Sequence, residues 1–225
     1  MTLDVGGTTA KTALIARGVV AYTTEYKVER DGEHPGYPIK VPVVDIVEIG
    51  AGGGSIARYG PIRGLTIGPD SAGAIPGPAC YARGGTEPTV TDANLVLGRL
   101  DAAYFLGGDM HVDVNAARRA LAPIADVFGT SIEETAEGIL RVANARMVDA
   151  VKHVSIRRGH DPRDFTLVAF GGGGGLHAAA IARELHVAHV VIPTYPGTFS
   201  ALGMLTAEPR HDSVRTHVMS FGSTT

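Results

Sequence analysis

The sequence predicts an α/β domain in which a sheet is flanked by helices, and three observations carry that prediction. FTLVAF, Phe165 to Phe170, is an unbroken apolar run bounded by a turn signal and by glycines, as in a strand covered on both faces. Ile132, Ala136, Ile139, Leu140, Ala143, Met147, Ala150, Val151 and Val154 recur with a helical period, behind Ser131 and Glu134 at the spacing of a capping box. Near the start of the chain, DVGGTTAKTALI, Asp4 to Ile15, reads as two strands around a glycine-rich turn.

Taken in order, Leu3 to Val5, Lys11 to Ile15 and Val19 to Val28 are expected as strands, with Ala16 to Gly18 as the turn between the last two. Asp31 to Pro42 is rich in Gly, Pro and charge and reads as an exposed loop. Val43 to Gly50 is expected as a buried strand. Ser55 to Pro69 suggests a second hairpin turning at Tyr59 to Gly64. The Gly- and Pro-rich stretch Gly68 to Pro88 is long for an irregular segment, and its Ala, Ile, Cys and Tyr argue for an ordered, functional loop. Helices follow at Thr91 to Leu100, at Val112 to Phe128 with an interruption at Pro123, and from Ser131 until Gly159 and Pro162 end it. After Phe170, a helix at Leu176 to Leu185, a strand at His189 to Pro193 and a last helix starting near Gly197 to Ser200 complete the pattern.

At 225 residues the chain is long enough for one sizeable domain or two small ones. A formal charge of −3 provides no basic footprint for nucleic acid. No apolar run reaches the roughly 18 to 20 residues of a membrane span, and the first residues lack the pattern of a signal peptide, so no membrane partner and a cytoplasmic location are expected. The single Cys80 cannot form an internal disulfide and reads as a small buried apolar residue. Glycine is the outlier: 30 of 225 residues, against about 7% in typical proteins, clustered at the ends of apolar runs where backbone must turn or approach something closely.

Three clusters carry candidate chemistry. In Asp4-Val5-Gly6-Gly7-Thr8-Thr9, glycine amides and two hydroxyls are suited to an anion, and Asp4 to a hard cation accompanying it. An ordinary turn with an acid on its shoulder is the competing reading. Gly171, Gly172, Gly173, Gly174 and Gly175 stand between a strand and a helix, where amides and the helix N-terminus favour an anion or a closely packed ligand. The run is not a P-loop, and it fails the dinucleotide fingerprint because Leu176 occupies the third glycine position. Glu48, beside Gly52 to Gly54, and Asp92, in TVTDAN, are each a candidate cation ligand or general base, with helix capping the alternative for Asp92. A carboxylate in the apolar strand around Glu48 would need a partner. The nine histidines form no metal-binding spacing, and His177 after the glycine run reads as a packing residue.

Together DVGGTTAKTALI, GYPIKVPVVDIVEIGAGGGSIAR, GPDSAGAIPGPACYARGGTEPTVTDANLVLGRLD, YFLGG, FTLVAFGGGGGLHAAAIARELHV and PGTFSALGMLTAEPRHDSVRT resemble the A-type subunit of the hydantoinase/oxoprolinase family, in order and over nearly the whole chain. The resemblance implies an actin-like ATPase (ribonuclease H-like) fold with a mixed sheet, here one lobe plus a family-specific insertion. It divides the chain into a phosphate-loop hairpin region (1–45), glycine- and proline-rich loops and helices (46–130), and a helix with an adenosine loop (131–225). Asp4 to Thr9 looks like the second phosphate loop, with Asp4 at Mg or Mn, and Gly171 to Gly175 like the adenosine loop for ATP. Where the family commonly has alanine and proline in this run, Gly173 and Gly175 stand here.

The activity implied is ATP-dependent opening of a cyclic amide, as in hydantoinases and 5-oxoprolinase. The family's other branch carboxylates ketones such as acetone or acetophenone. A B-type subunit, a small-molecule substrate and an oligomeric assembly are the implied partners. A further D-x-G-G-T loop precedes this region in the family, so the chain looks like the central portion of a longer subunit, for which a nucleotide-binding or docking role without turnover is a third expectation.

Overall fold

The computed structural model describes residues 1–28, 34–209, 211–213 and 215–218. Alternating burial builds the central sheet. Strands β1 (Thr2–Val5), β2 (Ala10–Ala13) and, later, β12 (Leu167–Phe170) each bury every second residue. These strands join β9 (Ile46–Ile49) and β13 (Val190–Val191) in the order β13-β12-β1-β2-β9. The β13, β12 and β1 neighbours are parallel, whereas β1, β2 and β9 are antiparallel, so the sheet is mixed.

One face of this sheet is closed by α3 (Ile132–Val154) and α4 (Gly174–Glu184). Leu3, Val5, Ala10, Leu167 and Ala169 pack there against Met147, Val151, Ala178 and Ile181. The opposite face is half-open, which corrects the expectation that Phe165 to Phe170 is covered on both sides: Val168 and Phe170 are only partly buried. The expected buried strand at Val43 to Gly50 is likewise corrected. It divides into β8 (Val43–Val44) and β9, and β9 is an edge strand with Ile46 and Glu48 exposed.

Between β2 and β9 the chain forms a ribbon of short antiparallel pairs. These are β3 (Ile15–Ala16) with β4 (Val19–Val20), β5 (Tyr22–Thr23) with β8, and β6 (Tyr26–Val28) with β7 (Tyr37–Ile39). The single strand expected over Val19 to Val28 is therefore three, and part of the expected loop at Asp31 to Pro42 is β7. Pairing with Tyr26–Val28 decides that, a partner that local Gly and Pro content conceals; residues 31–33 lie outside the described residues. An ion pair between Arg158 and Asp45 ties the base of the ribbon to the turn after α3.

A second apolar cluster lies beside the sheet. The hairpin of β10 (Ser55–Gly60) and β11 (Gly64–Ser71) packs Ala57 and Ile67 against Val90 of α1 (Val90–Val96), Leu121 of α2 (Val114–Phe128), and Ile139 and Leu140 of α3. Helix α3 serves both clusters, and its N-terminus carries the expected capping box, with Ser131 Oγ accepting from Glu134 N–H at 3.2 Å and Glu134 accepting from Ser131 N–H at 2.8 Å. Helix α2 runs through Pro123 without the expected interruption. Pro123 is exposed, so the carbonyl its missing N–H leaves unpaired can be solvated. The last helix, α5 (Phe199–Thr206), starts over the open face, where the Phe199 ring packs at a tilt against Phe170 with centroids 5.1 Å apart. Among the described residues no helix is long and apolar enough to cross a membrane.

Candidate functional site

The turn joining β1 to β2 is held from behind through its carbonyls. Gly53 N–H donates to Gly6 O at 2.9 Å, Gly54 N–H to Gly7 O at 2.5 Å, and Ser55 Oγ to Thr8 O at 3.3 Å. Gly6 N–H closes the turn on Thr9 O at 3.0 Å. The amides of Gly7, Thr8 and Thr9 have no protein acceptor among the described residues, and Gly6, Gly7 and Thr8 are exposed. Backbone whose carbonyls are all turned inward presents its N–H groups outward, the arrangement of an anion-binding nest. A Cβ on Gly7 would meet nothing within 4 Å, so the space in front of the turn is open.

The second glycine cluster approaches from the other side of β1. Gly171 sits at φ +79°, and a Cβ there would overlap both Val5 O and Asp4 Oδ1, so only glycine permits this contact. Gly171 N–H donates to Pro196 O and Gly173 N–H to Val5 O, each at 2.9 Å, while Gly174 opens helix α4 with no side-chain cap on its first turn. Asp4 thus stands where the two loops touch. Its Oδ2 accepts from Ser200 Oγ at 3.2 Å, and the residue is partly buried.

Glu48 and Asp92 are not equivalent to Asp4. The Glu48 side chain is 51% exposed, which corrects the expectation of a buried carboxylate; it lies on an edge strand and faces Lys11, Nζ to Oε1 3.3 Å. Lys11 Nζ also donates to Thr9 Oγ1 at 3.1 Å. Asp92 is completely buried behind the Gly52–Gly54 loop. It accepts from Thr89 N–H (2.9 Å), Thr89 Oγ1 (2.7 Å), Cys80 N–H (2.8 Å) and Ala79 N–H (3.3 Å). It therefore completes a capping box with Thr89 and pins the Gly- and Pro-rich segment to α1. Its neighbour Thr91 donates through Oγ1 to Gly53 O at 2.9 Å, so the start of α1 supports the loop that supports the turn.

His177 is buried in α4, its Nδ1 2.7 Å from Asn144 Oδ1; burial, and then the positive charge of Arg99, lowers its pKa to about 4. Burial, followed by the nearby Asp92 carboxylate, pushes the Cys80 thiol well up. Asp4, Gly6 to Thr9 and Gly171 to Gly175 meet in one place; Glu48 joins its edge, and Asp92 stays behind it. Lys11, Ser55 and Ser200 were not anticipated. The only local signal for Lys11 is its place two residues after Thr9, whereas Ser55 and Ser200 reach the site through tertiary contacts alone. A cavity of about 940 Å³ lies elsewhere on the open face, lined by Thr2, Arg17, His160, Asp161 and Phe165. Among the described residues no group of three or more His, Cys, Asp or Glu converges as a metal cage.

The model of the hydantoinase/oxoprolinase family matches residues 1–213. The chain is 41% identical to the caprolactamase subunit alpha of Pseudomonas jessenii over 96% of its own length and 30% of that subunit's. It is 38% identical to the acetophenone carboxylase gamma subunit of Aromatoleum aromaticum over 89% of its own length and 27% of that subunit's. The crystal structure of the ATP-dependent caprolactamase from Pseudomonas jessenii superposes with a TM-score of 0.80 at 42% identity, covering 90% of this chain and 28% of that one. The nucleotide-free structure of acetone carboxylase does so with a TM-score of 0.80 at 30% identity, over the same shares of the two chains. The chain therefore spans about a third or less of the length of these relatives, with the mixed α/β sheet of the actin-like ATPase class. Matched over residues 1–213, it belongs to the hydantoinase/oxoprolinase family.

Proposed function

We propose that this chain supplies a phosphate-binding part of a Mg-ATP site in an ATP-dependent enzyme that opens cyclic amides. The observation that carries the reading is the turn at Gly6 to Thr9: its carbonyls are tied to Gly53, Gly54 and Ser55, and its amides at Gly7, Thr8 and Thr9 are left for a ligand. Those amides and the Thr8 and Thr9 hydroxyls would donate to phosphate oxygens. Asp4, a carboxylate with one hydroxyl partner, fits a magnesium or manganese ion whose other ligands are phosphate oxygens and water. Gly171 to Gly175 would take the adenosine side. ATP in this reading supplies the phosphoryl group that makes an unreactive carbonyl oxygen a leaving group. The chain's own residues bind and orient: the nest fixes the phosphates, and the Asp4–Ser200 contact fixes the carboxylate.

Cyclic-amide opening is preferred over ketone carboxylation on sequence identity, 41% to the caprolactamase subunit alpha against 38% to the acetophenone carboxylase gamma subunit, while the two solved structures superpose with the same TM-score of 0.80. The relatives' names as alpha or gamma subunits support a second subunit in the working enzyme, and a B-type subunit is the one this reading assigns. The test is calorimetric titration of Mg-ATP into this chain and into the complete subunit, with Asp4→Asn alongside. Binding that Asp4→Asn abolishes supports the reading, and no binding by either overturns it. Incubation of the complete enzyme with caprolactam, 5-oxoproline and hydantoin, against acetone and acetophenone with bicarbonate, then separates the two chemistries. Carboxylation without ring opening refutes the hydrolase assignment.

A further inference from the structure

The register of the sheet aligns three charges across three strands. Asp4 of β1 lies opposite Lys11 of β2, and Lys11 lies opposite Glu48 of β9. Directly opposed residues project from the same face, and Leu3, Val5 and Ala10 occupy the covered one, so this row lies on the open face beside the glycine turn. Opposite charges on neighbouring strands ordinarily pair. Here Lys11 turns away from Asp4: its ammonium reaches Glu48 at 3.3 Å and Thr9 Oγ1 at 3.1 Å. Asp4 has no ion pair among the described residues and keeps only the Ser200 hydroxyl.

We propose that Glu48 is a positioning residue that holds Lys11 at the Thr9 end of the turn. The proposal rests on the Mg-ATP reading above. In this position Lys11 adds positive charge where a phosphate would lie, and Asp4 stays available for the cation instead of being neutralised by its cross-strand neighbour. Glu48 is then neither cation ligand nor general base. The pair is half-exposed, with side chains 44% and 51% accessible, so removing either charge leaves the fold intact.

The test uses the complete subunit as wild type, Glu48→Gln, Lys11→Met, the double variant and Lys11→Arg. The readouts are calorimetric affinity for ATP, the magnesium concentration that half-saturates ATP binding, affinity for adenosine, and melting temperature. Glu48→Gln is expected to raise the magnesium requirement roughly fivefold, the size of a partly exposed charge interaction. Adenosine affinity and melting temperature stay unchanged. Lys11→Met lowers ATP affinity with no increase in the magnesium requirement, and the double variant returns that requirement to near wild type because no ammonium remains to reach Asp4. Lys11→Arg keeps most of the ATP affinity. An unchanged magnesium requirement in Glu48→Gln, or a double variant in which the two effects simply add, overturns the positioning role while leaving the nucleotide site standing. Wild-type protein that takes up no ATP at any magnesium concentration overturns the site and the positioning role together.

Discussion

Replacing Gly52 by alanine is the most direct probe of how the candidate phosphate turn is held. A Cβ at Gly52 would lie 2.7 Å from each of Gly6 O, Thr8 C and Thr9 N, all backbone atoms that cannot swing aside. Ordinary contact needs about 3.4 to 3.5 Å, so the two loops must part by about 0.7 Å. That movement stretches the Gly53 N–H to Gly6 O bond from 2.9 Å to about 3.6 Å, outside hydrogen-bond range, and the Gly54 N–H to Gly7 O bond from 2.5 Å to about 3.2 Å. One lost and one weakened backbone bond, with the strain of the added methyl, amount to about 2 kcal/mol. In a protein of this size the melting temperature should fall by about 4 to 8 °C. Thermal unfolding followed by circular dichroism measures it, and a variant melting within about 1 °C of wild type would refute the tight loop-on-loop contact.

Three other outcomes follow from the same structure. Asp92→Ala strands the buried amides of Ala79, Cys80 and Thr89, each worth about 1 to 3 kcal/mol, and should cost about 3 to 5 kcal/mol in denaturant unfolding after relaxation; a loss below about 1 kcal/mol would contradict its role as a staple. His177, held neutral with a pKa near 4 against 6.5 in the unfolded chain, lets the unfolded state bind a proton that the fold refuses. Stability is therefore full above pH 6.5 and declines as pH falls toward 4, by on the order of 3 kcal/mol; melts across that window should flatten in His177→Gln, and an equally steep decline in the variant would exclude His177 as its source. Gly175→Ala, in the first turn of α4 with its Cβ 3.5 Å from Ile192 Cδ1, should raise stability by about 0.4 to 1 kcal/mol, and destabilisation in chemical denaturation would mean that the site needs the bare backbone there.

Several elements were legible because their signals are local. The Ser131–Glu134 box and the apolar period behind it specify α3 within a few residues, and the β10–β11 hairpin turns where its glycines stand. The glycines at 6–7 and 171–175 mark where backbone must come close, and these two clusters do meet at Asp4. Asp92 takes the helix-capping alternative that TVTDAN offers, whereas the burial expected of Glu48 fails. Whether a carboxylate is buried depends on which strand ends at the sheet edge and which loop folds over it, and neither is encoded near the residue.

By itself, then, the sequence determined the α/β class, the family resemblance, the long capped helix and the two glycine loops, since these depend on residue type and spacing over short stretches. Tertiary structure alone decided that β9 lies at the edge, that one sheet face stays half-open, that Asp92 is completely buried, and that Lys11 leans to Glu48 instead of Asp4. Each of those outcomes is set by strand register and long-range packing, where residues 37 to 196 positions apart compete for one partner, and no local preference ranks such competitors.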